Sequence, residues 1–482
     1  MAAILLQNGT VLTHDNDDHV VALRDHDILI IGNKIQAIGQ ALTLSDNTQG
    51  RIIDCSGKII SPGFIDTHHH LWQTQMKGRF GDLKFMDYMV AGNIQSFNYT
   101  PDDIFWGQLG GCRESIHSGV TTVVDHAHMT YSSEHVTEAI RATASSGLRS
   151  FFCYTPIWRI KSWSSSEAQY DEDLLPDWWY QTLESLAKAN PFGHRRVMLG
   201  LGFDDFKLPK EEVQNLWAKA QSLGLGLITT HFCANYMKNS VKLLNEYGLL
   251  DQPILFSHVN GITKEDAKTL MQHNAHFSTT PESELQMGLG EIVAFRPDIK
   301  RNGSIGIDCH ANNSSDILTQ LRLGMQHARG IENTEALGAG QYPSVQIKLE
   351  EAFNLATIQG AKAVGMQDQI GRIAVGKHAD LVIFDTTSPN MVCAAEENPL
   401  AAVLLHANVG DIEMVIIDGV VRKEKGRLLD AEILDGPNGQ VIKVLDQREL
   451  SKRLLTSRVE INKRREGQNE EKGMEFLYKT FG

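Results

Sequence analysis

The chain has 482 residues, of which 42% are hydrophobic and 22% charged, a balance that excludes a disordered or collagen-like polymer. At roughly 150 residues per domain the length suggests about three units, fewer if one is an α/β barrel of roughly 250 residues. Lysine and arginine number 45 against 59 aspartates and glutamates, a net charge of −14, which argues against non-specific binding to nucleic acid or an anionic membrane.

The opening MAAILLQNG has no basic segment before its short apolar run, which Gln7, Asn8 and Gly9 interrupt. It is expected to be neither signal peptide nor anchor, and no later stretch approaches the roughly 18 apolar residues of a spanning helix. Through residue 61, apolar clusters alternate with turns at Gln7-Asn8-Gly9 and Gly32-Asn33-Lys34. That pattern predicts short strands of a small β module.

From residue 62 to 371 the pattern changes. Near-continuous apolar runs at 63–67, 121–125, 148–154, 197–201, 226–230, 254–257, 276–279 and 304–307 read as eight strands. Helical segments are predicted between several of them, at 102–118, 134–146, 210–223, 241–247 and 264–273. This alternation predicts a parallel (β/α)8 TIM barrel. A doubly wound sheet is the competitor, but no G-x-G-x-x-G follows an early strand. A helix is expected over 349–364, after which short strands return between 372 and 435, with a turn at Asp418-Gly419. Both chain ends are therefore expected to build one β-sandwich module beside the barrel. Residues 436–482 are charge-rich and read as an exposed helix or charged tail. The six cysteines are scattered without a CxxC pair, as in a cytoplasmic protein with reduced, buried thiols.

In such a barrel, functional side chains lie at the C-terminal ends of the strands. Strand one ends in Asp66-Thr67-His68-His69-His70, strand five in His231, strand six in His258 and strand eight in Asp308. Residues i and i+2 of a strand share a face, so His68 and His70 can reach one ion while His69 points elsewhere. His231 can add a third nitrogen, and Asp308 an oxygen that also accepts a proton from water. This donor set suits one divalent metal ion, Zn2+ first, with Fe2+ or Mn2+ as alternatives. Such an ion lowers the pKa of its water to about 7, and His258 is then placed for catalysis. His126 and His128 form a second H-x-H, read as pocket lining at most. Trp72, Gln73 and Gln75 follow strand one and are candidates to touch substrate, as are Glu282 and Glu284 after strand seven. The segment 161–179, polar with aromatics, is a candidate lid.

These residues carry a resemblance. SPGFIDTHHHLWQTQMKG, SGVTTVVDHAHM, GSIGIDCHANNSSDIL and ATIQGAKAVGMQDQIGRIAVGKHADLVIFD together resemble the amidohydrolase superfamily. The likeness is to its cytosine deaminase-like branch, which includes triazine hydrolases, guanine deaminase and methylthioadenosine deaminases. The resemblance implies metal ligation by His68, His70, His231 and Asp308, with Asp308 the proton acceptor and His258 catalytic. Binuclear branches carry a carboxylated lysine at the end of strand four. Here the strand reads RRVMLGLGFDDF, with Lys207 beyond it, so one metal is expected. Deaminases of the branch carry a glutamate three residues after the strand-five histidine, where this chain has Ala234. Glu282 or Glu284 is a candidate replacement. The expected function is a metal-dependent hydrolase acting on a C–N or related bond of a small heterocyclic substrate, not a peptide. A lyase (decarboxylase or isomerase) on the same site and a non-enzymatic scaffold are the alternatives. Relatives of this kind commonly associate, which leaves a homo-oligomer open.

Overall fold

In the computed structural model, which describes residues 3–45, 49–236 and 239–481, the eight predicted strands form one parallel, closed sheet. They are Phe64–His70, Val120–Ala127, Arg149–Tyr154, Val197–Gly202, Ile228–Cys233, Ile254–Asn260, His276–Thr279 and an interrupted eighth, Gly303–Ile305 and Asp308–Cys309. Each pairs with the next. Strand eight closes the ring by pairing first with strand seven and then with strand one. The closure is tight. A Cβ at Gly306 would lie 2.6 Å from the His68 carbonyl oxygen, so only glycine lets the backbones approach. Buried Asp66 locks the seam, its Oδ1 accepting from the backbone N–H groups of His68 (3.2 Å) and Ile307 (3.1 Å). The strands are apolar along their length because helices cover the outer face and side chains fill the inner one.

The helix Pro101–His117 starts at a reciprocal cap between Thr100 and Asp103. It seats directly on the turn Leu71–Met76 that follows His70. Cβ atoms at Gly107 and Gly111 would fall 2.3 Å from the Trp72 carbonyl oxygen and 2.2 Å from that of Leu71. Two glycines thus set how closely this helix holds the end of strand one. The run expected as one helix over 349–364 is two, Leu349–Leu355 and Ile358–Ala363. Thr357 breaks it with a non-helical backbone of φ −125° and ψ −100°.

Segments from both ends of the chain join one nine-stranded sheet. Lys58–Pro62 pairs antiparallel with Leu381–Asp385, which pairs with Ile412–Ile417. Strands from the two ends share one core that includes Leu6, Ile28, Ile60, Leu381 and Ile416. The expected turn at Gln7-Asn8-Gly9 is instead an irregularity inside a long strand, Ala3–His14. Asn8 takes φ 63° with its N–H donated to Asp27, and a Cβ at Gly9 would lie 2.7 Å from Ile60. The residues favour a turn, but pairing on both flanks keeps the strand running as a bulge. The turns at Gly32 and Asp418-Gly419 form as expected.

The charge-rich C-terminal region is more ordered than its composition suggests. It folds into a strand, Val441–Leu445, and two helices, Gln447–Arg465 and Glu470–Phe481. Leu450, Ile461, Phe476 and Leu477 are buried against the rest of the chain. These apolar residues anchor the packed faces, while Val441, Ile442, Val444, Leu455 and Val459 stay exposed among the charges. Among the described residues, no helix is long and apolar enough to cross a membrane.

Candidate metal centre

Ligand atoms of His68, His70, His231 and Asp308 lie within 4.8 Å of one another. They sit at the C-terminal mouth of the barrel, on strands one, five and eight. Asp308 Oδ1 is 3.1 Å from Nε2 of His68 and 3.2 Å from Nε2 of His70. The hydrogen bonds behind the His70 and His231 rings fix their tautomers. Nδ1–H of His70 donates to the His126 carbonyl at 2.8 Å, and Nδ1–H of His231 donates to Asp204 Oδ2 at 3.0 Å. Nδ1 of His68 lies 2.8 Å from Ser257 Oγ. Each ring can therefore offer its Nε2 lone pair to an ion. A nitrogen lone pair facing a carboxylate oxygen at hydrogen-bond distance in a buried site is repulsive unless a cation or proton lies between them. The donor set fits a divalent cation of the zinc type.

Burial lowers the pKa of His68 well below its usual value, against the opposing pull of Asp308, and so favours the neutral imidazole that ligates. For Asp308, burial acts upward, but His258, His68 and His70 outweigh it and hold the carboxyl well below the usual range. Asp308 and His258 have φ of 68° and 77°. Both are left-handed conformations that non-glycine residues adopt at a cost, here where the strands turn their side chains into the mouth. His258 stands beside the cluster, its ring 5.2 Å from His68 and 5.6 Å from His231 between centroids. Behind it, Nδ1 meets Thr280 Oγ1 at 2.9 Å and Glu284 Oε1 at 3.6 Å.

Asp204, at the end of strand four, is a site residue that the sequence reading passed over. Its carboxylate accepts from Nδ1–H and the backbone N–H of His231 (3.0 and 2.8 Å). His126 Nε2 approaches it at 3.1 Å but out of line for a hydrogen bond. Burial acts to raise the Asp204 pKa, and the charges of His231 and His126 overcome it, keeping the carboxylate ionised. Its only sequence signal was the Asp204-Asp205 pair where a carboxylated lysine was sought. Burial lowers His126 to about 4. His128 lines the cavity, its ring 4.2 Å from that of His70.

The cavity above the cluster holds about 300 Å3. Its floor carries His70, His231, His258, Asp204 and Asp308, and its walls mix aromatic residues such as Tyr88, Tyr131, Trp158 and Phe476 with aliphatic ones and a few polar groups, Asn93, Asp205 and Lys207 among them. None of Trp72, Gln73, Gln75, Glu282 and Glu284, the five residues expected to touch substrate, is on this wall. Trp72 is fully buried, edge-on to Tyr99 and His128. Gln73 donates to the Tyr88 hydroxyl at 2.8 Å and accepts from Cys309 at 3.1 Å. Gln75 donates to the Asp103 carbonyl and to Ser457. Glu284 is fully buried and accepts from Thr279 and from the Thr280 N–H, both at 2.8 Å. Glu282 binds Gln320 on the neighbouring helix. The turn after strand one rotates its side chains into the helix layer, and the helix Pro281–Met287 carries its acids behind His258. From the expected lid, Leu174 reaches the cavity, with Trp158 just before it. Trp179 is instead buried and stacked on Tyr154.

Residues 59–422 match the model of the amidohydrolase family. The chain is 26% identical over 446 residues to a 5-methylthioadenosine/S-adenosylhomocysteine deaminase of Acetivibrio thermocellus, covering 88% of this chain and 95% of that one. The structure resembles an adenosine deaminase of Xanthomonas campestris with bound zinc, with a TM-score of 0.77, 19% identity and coverage of 95% and 98%. It also resembles the zinc complex of atrazine chlorohydrolase from Arthrobacter aurescens, with a TM-score of 0.75, 21% identity and coverage of 94% and 100%. The barrel, the histidines and aspartate at its mouth and the match over most of the chain lead to one conclusion: this protein belongs to the amidohydrolase family.

Proposed function

We propose that the chain is a hydrolase that holds one zinc ion through His68, His70, His231 and Asp308 and releases ammonia from an amino-bearing carbon of a heterocycle. The observation that carries this reading is the set of three imidazoles and one carboxylate converging within 4.8 Å at the floor of a cavity. An ion held there supplies an acidified water at neutral pH. Asp308 would take one proton of that water as its oxygen bonds to the ring carbon, and pass it to the adjacent ring nitrogen, which receives the C=N electron pair. His258, held by Thr280 and Glu284, donates a hydrogen bond to the oxygen as charge builds on it. Asp308 would then take the remaining hydroxyl proton and give it to the departing amino nitrogen as the C–N bond breaks, leaving a carbonyl and ammonia. Asp308 serves both transfers because Ala234 offers no acid, and Glu282 and Glu284 lie behind the wall.

The test is metal quantification on the purified protein, then turnover of aminated, halogenated and lactam heterocycles in 18O-water. Adenine and 5-methylthioadenosine, the latter named for the Acetivibrio relative, are the first probes. The expected result is about one equivalent of zinc, label in the product, and loss of turnover by at least about a thousandfold in Asp308→Asn with the fold retained. Unlabelled product would favour the lyase, and a folded chain that binds no metal would favour the scaffold.

A further inference from the structure

Above the floor the cavity wall is mixed: Asn93, Ser96, Asp205 and Lys207 contribute polar groups, and Trp158, Leu174 and Phe476 form an apolar side. Part of that wall comes from the C-terminal helix Glu470–Phe481, well beyond the residues matched by the family model. Phe476 faces the cavity beside Trp158 and Leu174, and its ring lies 5.3 Å from that of Tyr170 at 67°. The helix is pinned in place. Leu477 is fully buried in a cluster with Val90, Ile160 and Trp163. The indole N–H of Trp163 donates to the Asn469 carbonyl at 2.8 Å, and the Asn469 N–H donates to Ser164 at 3.1 Å. Trp158, on the same wall, is tied by its indole N–H to Asp205. Two fixed aromatic side chains therefore face whatever projects outward from a ring bound at the metal.

We propose that Phe476, with Trp158, determines specificity, selecting substrates whose reacting ring carries an uncharged apolar substituent on the side opposite the scissile bond. The proposal rests on the hydrolase reading only for the ring at the floor. An apolar group on the substrate would leave water against these rings, a gain that a bare ring cannot make.

The experiment measures affinities of the zinc-loaded, full-length chain for adenine and 9-benzyladenine by titration calorimetry. N9 is opposite the amino carbon, so the benzyl group points at the wall when that carbon is at the floor. The wild-type chain is expected to bind the benzyl probe at least about tenfold more tightly. Phe476→Ala should cut that ratio by about tenfold while adenine affinity stays within about twofold. Phe476→Leu, which keeps an apolar side chain on the helix, should give an intermediate ratio and serves if the alanine variant does not fold. No preference for the benzyl probe in the wild type, or an unchanged ratio in the folded variants, overturns the proposal. A preference for the benzyl probe without turnover of either probe would refute the hydrolase reading and leave the wall standing.

Discussion

Asp204→Asn is the substitution with the most to reveal about the centre. The carboxylate accepts the Nδ1–H and the backbone N–H of His231 at 3.0 and 2.8 Å and neighbours His126 Nε2 at 3.1 Å. An asparagine fills the same space, but it loses the charge and turns one acceptor into a donor. At least one N–H is left facing an NH2 group. A hydrogen bond to a charged group is worth about 1.5–3 kcal/mol. Its loss frees the His231 ring to rotate and lowers the basicity of Nε2. The predicted cost is a 10–100-fold rise in the zinc dissociation constant, or about 1.4–2.7 kcal/mol. The assay is competition for zinc against a chromogenic chelator, with circular dichroism and thermal melting to show that the barrel remains folded. At saturating zinc, kcat should recover more fully than metal affinity. A dissociation constant within about twofold of wild type would show that Asp204 does not orient His231, and the argument from the hydrogen bonds would fail.

Other predictions follow from buried groups and close packing. Burial, and next the Asp316 charge, push the Glu282 carboxyl up to about 7. A folded value above the unfolded one means the native state binds more protons between about pH 4.5 and 7, so this contribution to stability falls as pH rises through that window. Glu282→Gln should therefore raise the melting temperature near pH 8, by up to roughly 3 kcal/mol in stability, and change little near pH 4.5; equal gains at both pH values would contradict it. Gly111→Ala, which places a methyl 2.2 Å from the Leu71 carbonyl oxygen, should cost about 1–3 kcal/mol in denaturant unfolding. The same variant should lower zinc retention, because the helix it displaces supports the end of strand one. Unchanged unfolding and zinc content would show that the interface can relax.

Barrel strands and the cluster of His68, His70, His231 and Asp308 were legible in the sequence because both depend on local rules. Apolar runs alternate with helical segments, and the i, i+2 spacing puts His68 and His70 on one face of a strand. Strand ends then mark where His231, His258 and Asp308 meet them. Asp204 was hidden because its importance comes from partners on strands two and five. No spacing along the chain brings His126, Asp204 and His231 together; closing the sheet does. The direction of Trp72, Gln73, Glu282 and Glu284 was equally non-local. Each follows a strand end closely enough to suggest the mouth, yet the next turn or helix carries it into the packing behind. The outer wall was the least legible part. A charge-rich segment with few apolar residues reads as a solvated tail, and only its docking against Trp163 and Ile160 brings Phe476 over the cavity. Periodicity and strand-end chemistry thus determined the barrel and the three imidazoles and carboxylate that converge at its mouth. The carboxylate behind the ligands and the aromatic wall above them were decided by contacts between distant segments, which exist only once the chain has folded.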